Sequence, residues 1–173
     1  WPGLKLRKDI VDTDDGLAKH VYVRESRRIR ALYTVVEQDV SYAIRGTAGA
    51  KKFVDSVGVG HYRIDLHPST AGDNYIDVAS CPYQIPLGSL IPRSCENVIA
   101  ASKNIGVTHI TNGCFRLHPT EWNIGESAGV LAALSIRRGT SPHAFARGDN
   151  LNELQAALSS QGVELDWPEV KPY

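Results

Sequence analysis

Methionine is absent from this 173-residue sequence, which opens Trp-Pro-Gly-Leu-Lys. A translated chain ordinarily begins with methionine, so the expectation is a piece of a longer polypeptide or a processed chain. Cysteine is scarce: Cys81, Cys95 and Cys114 form neither a CxxC pair nor a zinc-type spacing, and an odd count argues against a disulfide framework. Reduced, buried thiols in a cytoplasmic protein are expected instead. Net charge is also missing, with Lys+Arg 19 against Asp+Glu 19, so neither nucleic acid nor an anionic membrane is an expected partner. No apolar run is long enough to span a bilayer, and no signal-peptide pattern opens the chain. A glycine-rich phosphate loop is lacking as well. Gly58-Val59-Gly60 sits inside a strand-like run, without a third glycine or a following helix.

The remaining composition is that of a globular chain, 42% hydrophobic and 22% charged. Its length fits one domain or part of a larger one and can bury a core. The stretch from Asn112 to Gly139 organises the rest. Ile124, Ala128, Leu131 and Ser135 recur at helical spacing and predict a helix over 124–138. Gly125, Ser127, Ala128, Gly129, Ala132 and Ala133 permit close backbone approach along it. The residues ahead of it read as a loop carrying Arg116, His118, Glu121 and Asn123. A helix start offers unpaired N–H groups and partial positive charge, which suits an electron-rich ligand. A buried helix with a polar lead-in loop is the plainer reading.

Upstream, Trp1 to Lys19 reads as irregular. Arg24, Arg27 and Arg28 stand at helical spacing and would form one cationic face, either solvated or clamping an anionic group. Residues 31–36 read as a buried strand, 37 onward as a short turn or helix, and 41–52 as a loop or disordered break. The clearest strand runs from Asp55 to His67, where Tyr62, Ile64 and Leu66 alternate with His61, Arg63, Asp65 and His67. That polar face has three readings: plain solvent exposure; an active-site wall with His61 or His67 as acid/base and Arg63 as substrate anchor; or a metal site. Residues 75–78 suggest another strand, and 83–92 a proline-punctuated crossover. Residues 97–102 read as a buried parallel strand. If ligands sit at the carboxyl ends of such strands, Asn104, Gly106, His109 and the following helix start would meet one. Ser141-Pro142 reads as an N-cap pair, Asn150 with Glu153 as a capping box, Leu151, Leu154 and Leu158 as a buried stripe ended by Gly162, and 163–165 as a last strand.

The segment GSLIPRSCENVIAASKNIGVTHITNGCFRLHPTEWNIGESAGVLAA resembles the C-terminal flavin-binding segment of bacterial FAD-dependent oxidoreductases of the glutathione-reductase-like superfamily. The likeness continues, in order, through YVRESRRIRALYTVVEQDV, DSVGVGHYRIDLHPSTAGDNYIDV and PYQIPLGSLIP. Ser102-Lys103-Asn104 departs from the Gly-Arg or Gly-Asp pair of the wider superfamily. The resemblance implies an α/β (mixed α+β) fragment of a two-domain enzyme. Residues 1–86 would belong to a mostly β substrate-binding domain. Residues 87–173 would be the C-terminal segment of a Rossmann-like FAD domain, with the N-terminal dinucleotide-binding half absent. It implies FAD as cofactor, held near Asn104, Gly106, Arg116, Trp122, Asn123, Ile124 and Gly125, and hydride or electron transfer with a small-molecule substrate. His61, Arg63, His67 and His109 are the candidate catalytic residues, and no metal is expected. The alternatives are a noncatalytic domain that packs on a partner chain or forms a homodimer, and a metal-dependent hydrolase using His61, Asp65, His67 and His109.

Overall fold

The computed structural model describes residues 6–20, 23–24, 27–69, 71–72 and 74–168. Its helices are α1 (Lys8–Val11), α2 (Glu37–Val40), α3 (Tyr42–Arg45), α4 (His109–Phe115), α5 (His118–Arg138) and α6 (Gly148–Ser160). Its strands are β1 (Ser56–Gly60), β2 (Ile64–Leu66), β3 (Ile76–Val78) and β4 (Tyr83–Pro86). The mixed α/β class expected from the sequence holds.

The dominant element is α5, which begins at His118 rather than Ile124. Pro119 is the reason. Proline is pre-shaped for the first helical turn, where its missing N–H costs nothing. Gly139 ends the helix in a left-handed conformation, with φ 59°, and its N–H bonds back onto Ile136. Arg137 and Arg138 complement the negative end. Ile124, Ser127, Ala128, Leu131, Leu134 and Ser135 face inward, as the periodicity predicts. The small residues bring α5 close to its neighbours: Ser127 Oγ donates to Val57 O on β1.

The predicted long strand over 55–67 is two strands. β1 pairs antiparallel with β4, with Val59 opposite Gln84; β2 pairs antiparallel with β3, with Asp65 opposite Asp77. Between them His61, Tyr62 and Arg63 leave the ladder, and Ser80 Oγ takes up the Tyr62 carbonyl at 2.6 Å. The expected alternation fails at this break, where Tyr62 is exposed along with His61 and Arg63, and holds only in β2, where Ile64 and Leu66 are buried around a half-buried Asp65. Helix α5 lies over β1 and α4 over β2. One hydrophobic cluster draws on both sides of residue 86, from Val35 through Ile85 to Leu131 and Leu158. Tyr83 stacks on Phe115 at its centre, with ring centroids 4.3 Å apart.

Other expectations change. Residues 31–36 make only isolated bridges, Ala31 to Pro92 and Val35 to Val107. The latter is the one parallel pairing among the described residues. Residues 97–102 form no strand: Ala100 N–H bonds Leu90 O, and Val98 is 45% exposed. No strand lies beside this run among the described residues, so its β-propensity finds no ladder. The 41–52 segment is ordered by α3 and a 3₁₀ turn (Gly46–Ala48), which Arg45 Nε pins by bonding Gly49 O at 2.8 Å. Lys8–Val11 is a helical turn inside the stretch read as irregular; Trp1–Lys5 lie outside the described residues. Arg24, Arg27 and Arg28 are not helical, and the intervening Glu25 and Ser26 lie outside the described residues. Asn150 is inside α6, where its Nδ2 bonds Ala144 O at 3.0 Å, so it caps nothing. Ser141-Pro142 opens a 3₁₀ turn (Pro142–Phe145). The α6 stripe of Leu151, Leu154 and Leu158 and the stop at Gly162, with φ 89°, are as expected. Residues 163–165 form no strand, because the Val163 N–H closes the end of α6 on Leu158 O.

All three cysteines are free, yet Cys95 is exposed, against the expectation of buried thiols. Burial pushes the Cys114 thiol up to about 12 and raises Cys81 as well. A maleimide reagent at neutral pH is therefore expected to label Cys95 alone in the folded chain and all three after unfolding, counted by mass spectrometry. Rapid native labelling of Cys114 would contradict this core. No helix among the described residues is long and apolar enough to cross a membrane.

Candidate functional site

The corner between α4 and α5 positions the site. Thr108 and Thr111 cap the start of α4 reciprocally: Thr108 Oγ1 accepts from Thr111 N at 3.1 Å, and Thr111 Oγ1 from Thr108 N at 2.9 Å. Helix α4 ends at Arg116, Leu117 turns extended, and α5 starts. Gly113 lets α4 sit directly on β2. A Cβ there would stand 3.0 Å from Asp65 N and 3.1 Å from Asp65 O. The close approach carries Arg116 across the β2 edge, where its Nη2 donates to Asp65 O at 2.7 Å. Arg116 is buried, at 5% exposure.

Three concavities meet around Leu117. The first, about 110 Å³, is lined by Arg24, Tyr62, Asp65, His67 and Arg116, with Gly113 and Leu117 completing it. The second, about 350 Å³, shares Tyr62 and Leu117 and adds His61, Thr120, Asn123 and Trp167 over an apolar floor of Val59 and Pro119. The third, about 410 Å³, is a shallow apolar dish along Arg116 to Pro119. Trp167 is fixed at the second by its indole N–H, which reaches Gly60 O at 3.2 Å and Tyr83 O at 3.1 Å. A larger hollow, about 480 Å³, lies elsewhere, between Asn97–Ile99 and the end of α5. Among the described residues Glu96 is the one charged residue lining it, whereas the hollows at Leu117 gather several charged and polar side chains.

In the small cavity, the Asp65 carboxylate lies 3.6 Å from His67 Nε2, an ion-pair contact longer than a hydrogen bond. Asp65 Oδ1 is buried and has no hydrogen-bond donor among the described residues. Of the sequence-predicted residues, the structure gathers His61, His67, Arg116 and Asn123, with Arg24 beside them. Arg63 is engaged elsewhere, where its guanidinium pairs with Asp77 across the β2–β3 ladder. His109 opens α4, half-buried and outside these hollows. Asn104 is in a turn, where its carbonyl accepts from Ile29 N at 3.0 Å. Gly106 is packed solid between Ala31 and Tyr33. Ile124 is wholly in the core, and Trp122 is 71% exposed on the outer face of α5. Because α5 starts at His118, the N–H groups of Asn123, Ile124 and Gly125 belong to its interior ladder. The N–H groups ahead of that ladder are those of His118 and Thr120, since Glu121 N already bonds Leu117 O. Among the described residues no three His, Cys, Asp or Glu side chains come together to hold a metal. His61, Asp65, His67 and His109 therefore do not form the hydrolase centre considered from the sequence. Trp167 and Leu117 escape sequence reasoning, because isolated apolar residues in irregular segments give no periodic signal; Tyr62, expected on the core face of a strand, is instead 39% exposed and lines two of the hollows.

A family model described as FAD dependent oxidoreductase matches residues 1–158. The chain belongs to that family. Comparison with curated proteins and with solved structures gives no match. As a member of the FAD-dependent oxidoreductases, the chain has oxidation–reduction as its family chemistry and FAD as its family cofactor. The hollow at the start of α5 suits one end of that cofactor. Val59, Leu117, Pro119 and Trp167 offer apolar surface to a flat ring, and Thr120 and Asn123 supply polar groups at its margin.

Proposed function

We propose that this chain forms the flavin-ring and substrate end of an FAD-dependent oxidoreductase acting on a small molecule, with the ADP half of the cofactor held by polypeptide outside it. The observation that carries the reading is the convergence of three hollows on Leu117, beside a buried arginine and a helix start, with every lining residue but Trp167 inside the span matched to the family. Bound FAD would supply acceptance and release of a hydride or electron pair. The chain's own residues would do the rest. The partial positive charge at the start of α5, with Arg116 next to it, favours an electron-rich ring edge. Trp167, Leu117 and Pro119 would give the ring apolar walls. His67, near the Asp65 carboxylate, is the first candidate to move a proton, and His61 is the second, at the neighbouring hollow. In this reading residues 1–86 serve the substrate side and 87–173 the flavin side. Three free thiols support a cytoplasmic setting.

The missing half is also the proposed partner. Trp122, Gly129 and Ile136 lie along the outer face of α5, with Ile136 82% exposed, and Val98 is 45% exposed on the ladderless 97–102 run. A helix face that exposes Trp122 and Ile136, with Glu126 as its charge, beside an unpaired strand-like segment suits a covering strand and helix, or a second copy of the chain. That face also supports the alternative of a noncatalytic packing module.

The test is visible absorption after incubation with FAD and desalting, for the chain alone and joined to the polypeptide preceding it in its reading frame. Flavin bands retained by the joined protein, and reduced at least tenfold in Thr120→Trp, which fills the hollow, would support the proposal. A folded, colourless joined protein would refute it.

A further inference from the structure

The outer face of α5 and the hollow at its far end fit one another, but only between two molecules. We infer that α5 pairs antiparallel with α5 of a second copy of the chain, each copy seating its Trp122 in the hollow beside the end of the other's helix. This narrows the two occupants that suit the helix face to one, and it does not depend on the flavin reading. Trp122, Gly129, Ala133 and Ile136 recur at helical spacing and are all exposed, so they share one face. Trp122 is 71% exposed, whereas tryptophan contributes most at interfaces when it fills a pocket. The hollow of about 480 Å³ is lined by Ile99, Ala132, Ile136, Thr140 and Pro142 among others. Hollows of about 300 Å³ upward hold whole small-molecule ligands, so an indole ring fits. Within one copy Trp122 is out of reach, because it stands about 21 Å from Ile136 along the helix axis. A second copy running the other way brings it there.

The second, independent observation is the charge pattern, which fits a second copy and sets its direction. Glu126 lies on this face toward its start, and Arg137 stands at its margin beside Ile136. Both are exposed, and neither makes an ion pair among the described residues. Arg138, by contrast, is held by Glu153 at 2.9 Å. Measured from the level of Leu131, Glu126 lies about 8 Å toward the helix start and Arg137 about 9 Å toward its end. A two-fold axis at that level therefore sets each Glu126 beside Arg137 of the other copy. It also puts Gly129 against Ala133, whose small side chains let the helices approach closely. Trp122, about 14 Å from Leu131, then meets the level of Thr140 and its hollow. A parallel pair would oppose Glu126 to Glu126 and Arg137 to Arg137. Antiparallel packing also opposes the two helix dipoles favourably. Such an isologous contact closes on itself as a dimer.

The test is sedimentation equilibrium of the 173-residue chain without flavin, where a reversible dimer of twice 18.9 kDa is expected. Trp122→Ala, at an exposed position that should leave folding intact, is expected to raise the dissociation constant by about tenfold or more. Arg137→Glu should raise it by about tenfold, and adding Glu126→Arg should bring it back to near the native value, because the swap re-forms both pairs. A chain that stays monomeric at high micromolar concentration would overturn the inference. So would a dimer indifferent to Trp122→Ala, or one that the charge swap fails to restore. A monomeric chain that captures the separately produced preceding polypeptide would assign the face to that polypeptide instead. Dimerisation of the chain with a colourless joined protein would keep this inference and refute the flavin reading. Flavin retained by the joined protein, with the chain alone monomeric, would do the reverse.

Discussion

Gly106→Ala is expected to destabilise the chain by about 3 kcal/mol, at the upper end of what overpacking a core usually costs. A Cβ at this position would lie 2.4 Å from Ala31 Cβ and 2.4 Å from Tyr33 O. Both obstacles are fixed. Tyr33 N bonds Gly88 O, and Ala31 bridges Pro92. Gly106 cannot retreat either, because its N–H bonds Ser89 O and its carbonyl accepts from Val35 N, at 2.8 and 2.9 Å. The added methyl must therefore break one of these backbone contacts. Gly129→Ala is the control. Nothing lies within 4 Å of a Cβ there, the position is interior to α5, and alanine should stabilise by about 1 kcal/mol. Urea midpoints of the two variants should move in opposite directions. The same pair of variants distinguishes two roles for Gly106. As a cofactor contact it would tolerate alanine in the flavin-free chain; as a packing position it would not.

Helix periodicity is legible in the letters where close packing of this kind is not. The interior of α5 and the Leu151–Leu158 stripe of α6 are readable because burial on one helix face leaves a period in the sequence. The start of α5 is not. Its apolar periodicity begins at Ile124, but its first turn holds only Pro119 and polar residues, so the boundary signal is the proline rather than the period. The 55–67 alternation identifies Ile64 and Leu66 as inward-facing, fails at the exposed Tyr62 and is silent about partners. Only the pairing of β1 with β4 and of β2 with β3 divides the run. Residues 97–102 have strand composition without a ladder, and pairing cannot be read from one segment alone.

The candidate site is legible in part for the same reason. Arg116, Asn123, His61 and His67 stand out as polar residues beside a helix start or on one strand face, and they do gather at Leu117. Arg63 shares that strand alternation but is occupied by Asp77, a residue fourteen positions away whose role depends on the β2–β3 register. In the sequence Asp65 is one polar residue among several. Its significance comes from Gly113, which brings α4 onto its backbone and leaves one carboxylate oxygen buried. No local pattern encodes that approach.

Asp39→Ala is expected to cost about 2–3 kcal/mol, because it removes a buried charged acceptor on which two donors converge. Asp39 Oδ2 accepts from Tyr33 Oη at 2.7 Å and from Val36 N at 3.0 Å, the latter closing the first turn of α2. Lys51 Nζ donates to Tyr33 Oη at 2.8 Å and stands 3.7 Å from Asp39 Oδ1, over the rings of Tyr33 and Phe53. The Asp39 side chain is 7% exposed but that of Lys51 is 44% exposed, so water screens the lysine end. Lys51→Met should accordingly cost less than about 1 kcal/mol. A double-mutant cycle of Asp39→Asn with Tyr33→Phe should show coupling, since the two share one hydrogen bond. The cluster also sets an alkaline limit. Burial, first among its causes, raises the Tyr33 phenol above its ordinary range, and donation to Tyr33 raises the Lys51 ammonium. In both, folding favours the protonated form. The stability they contribute is full below about pH 10 and falls as pH rises through the folded-state values. Urea denaturation between neutral and alkaline pH should show that fall in the native sequence and a shallower one in Tyr33→Phe. An identical slope in both would mean that the Asp39–Tyr33–Lys51 contacts do not govern alkaline stability.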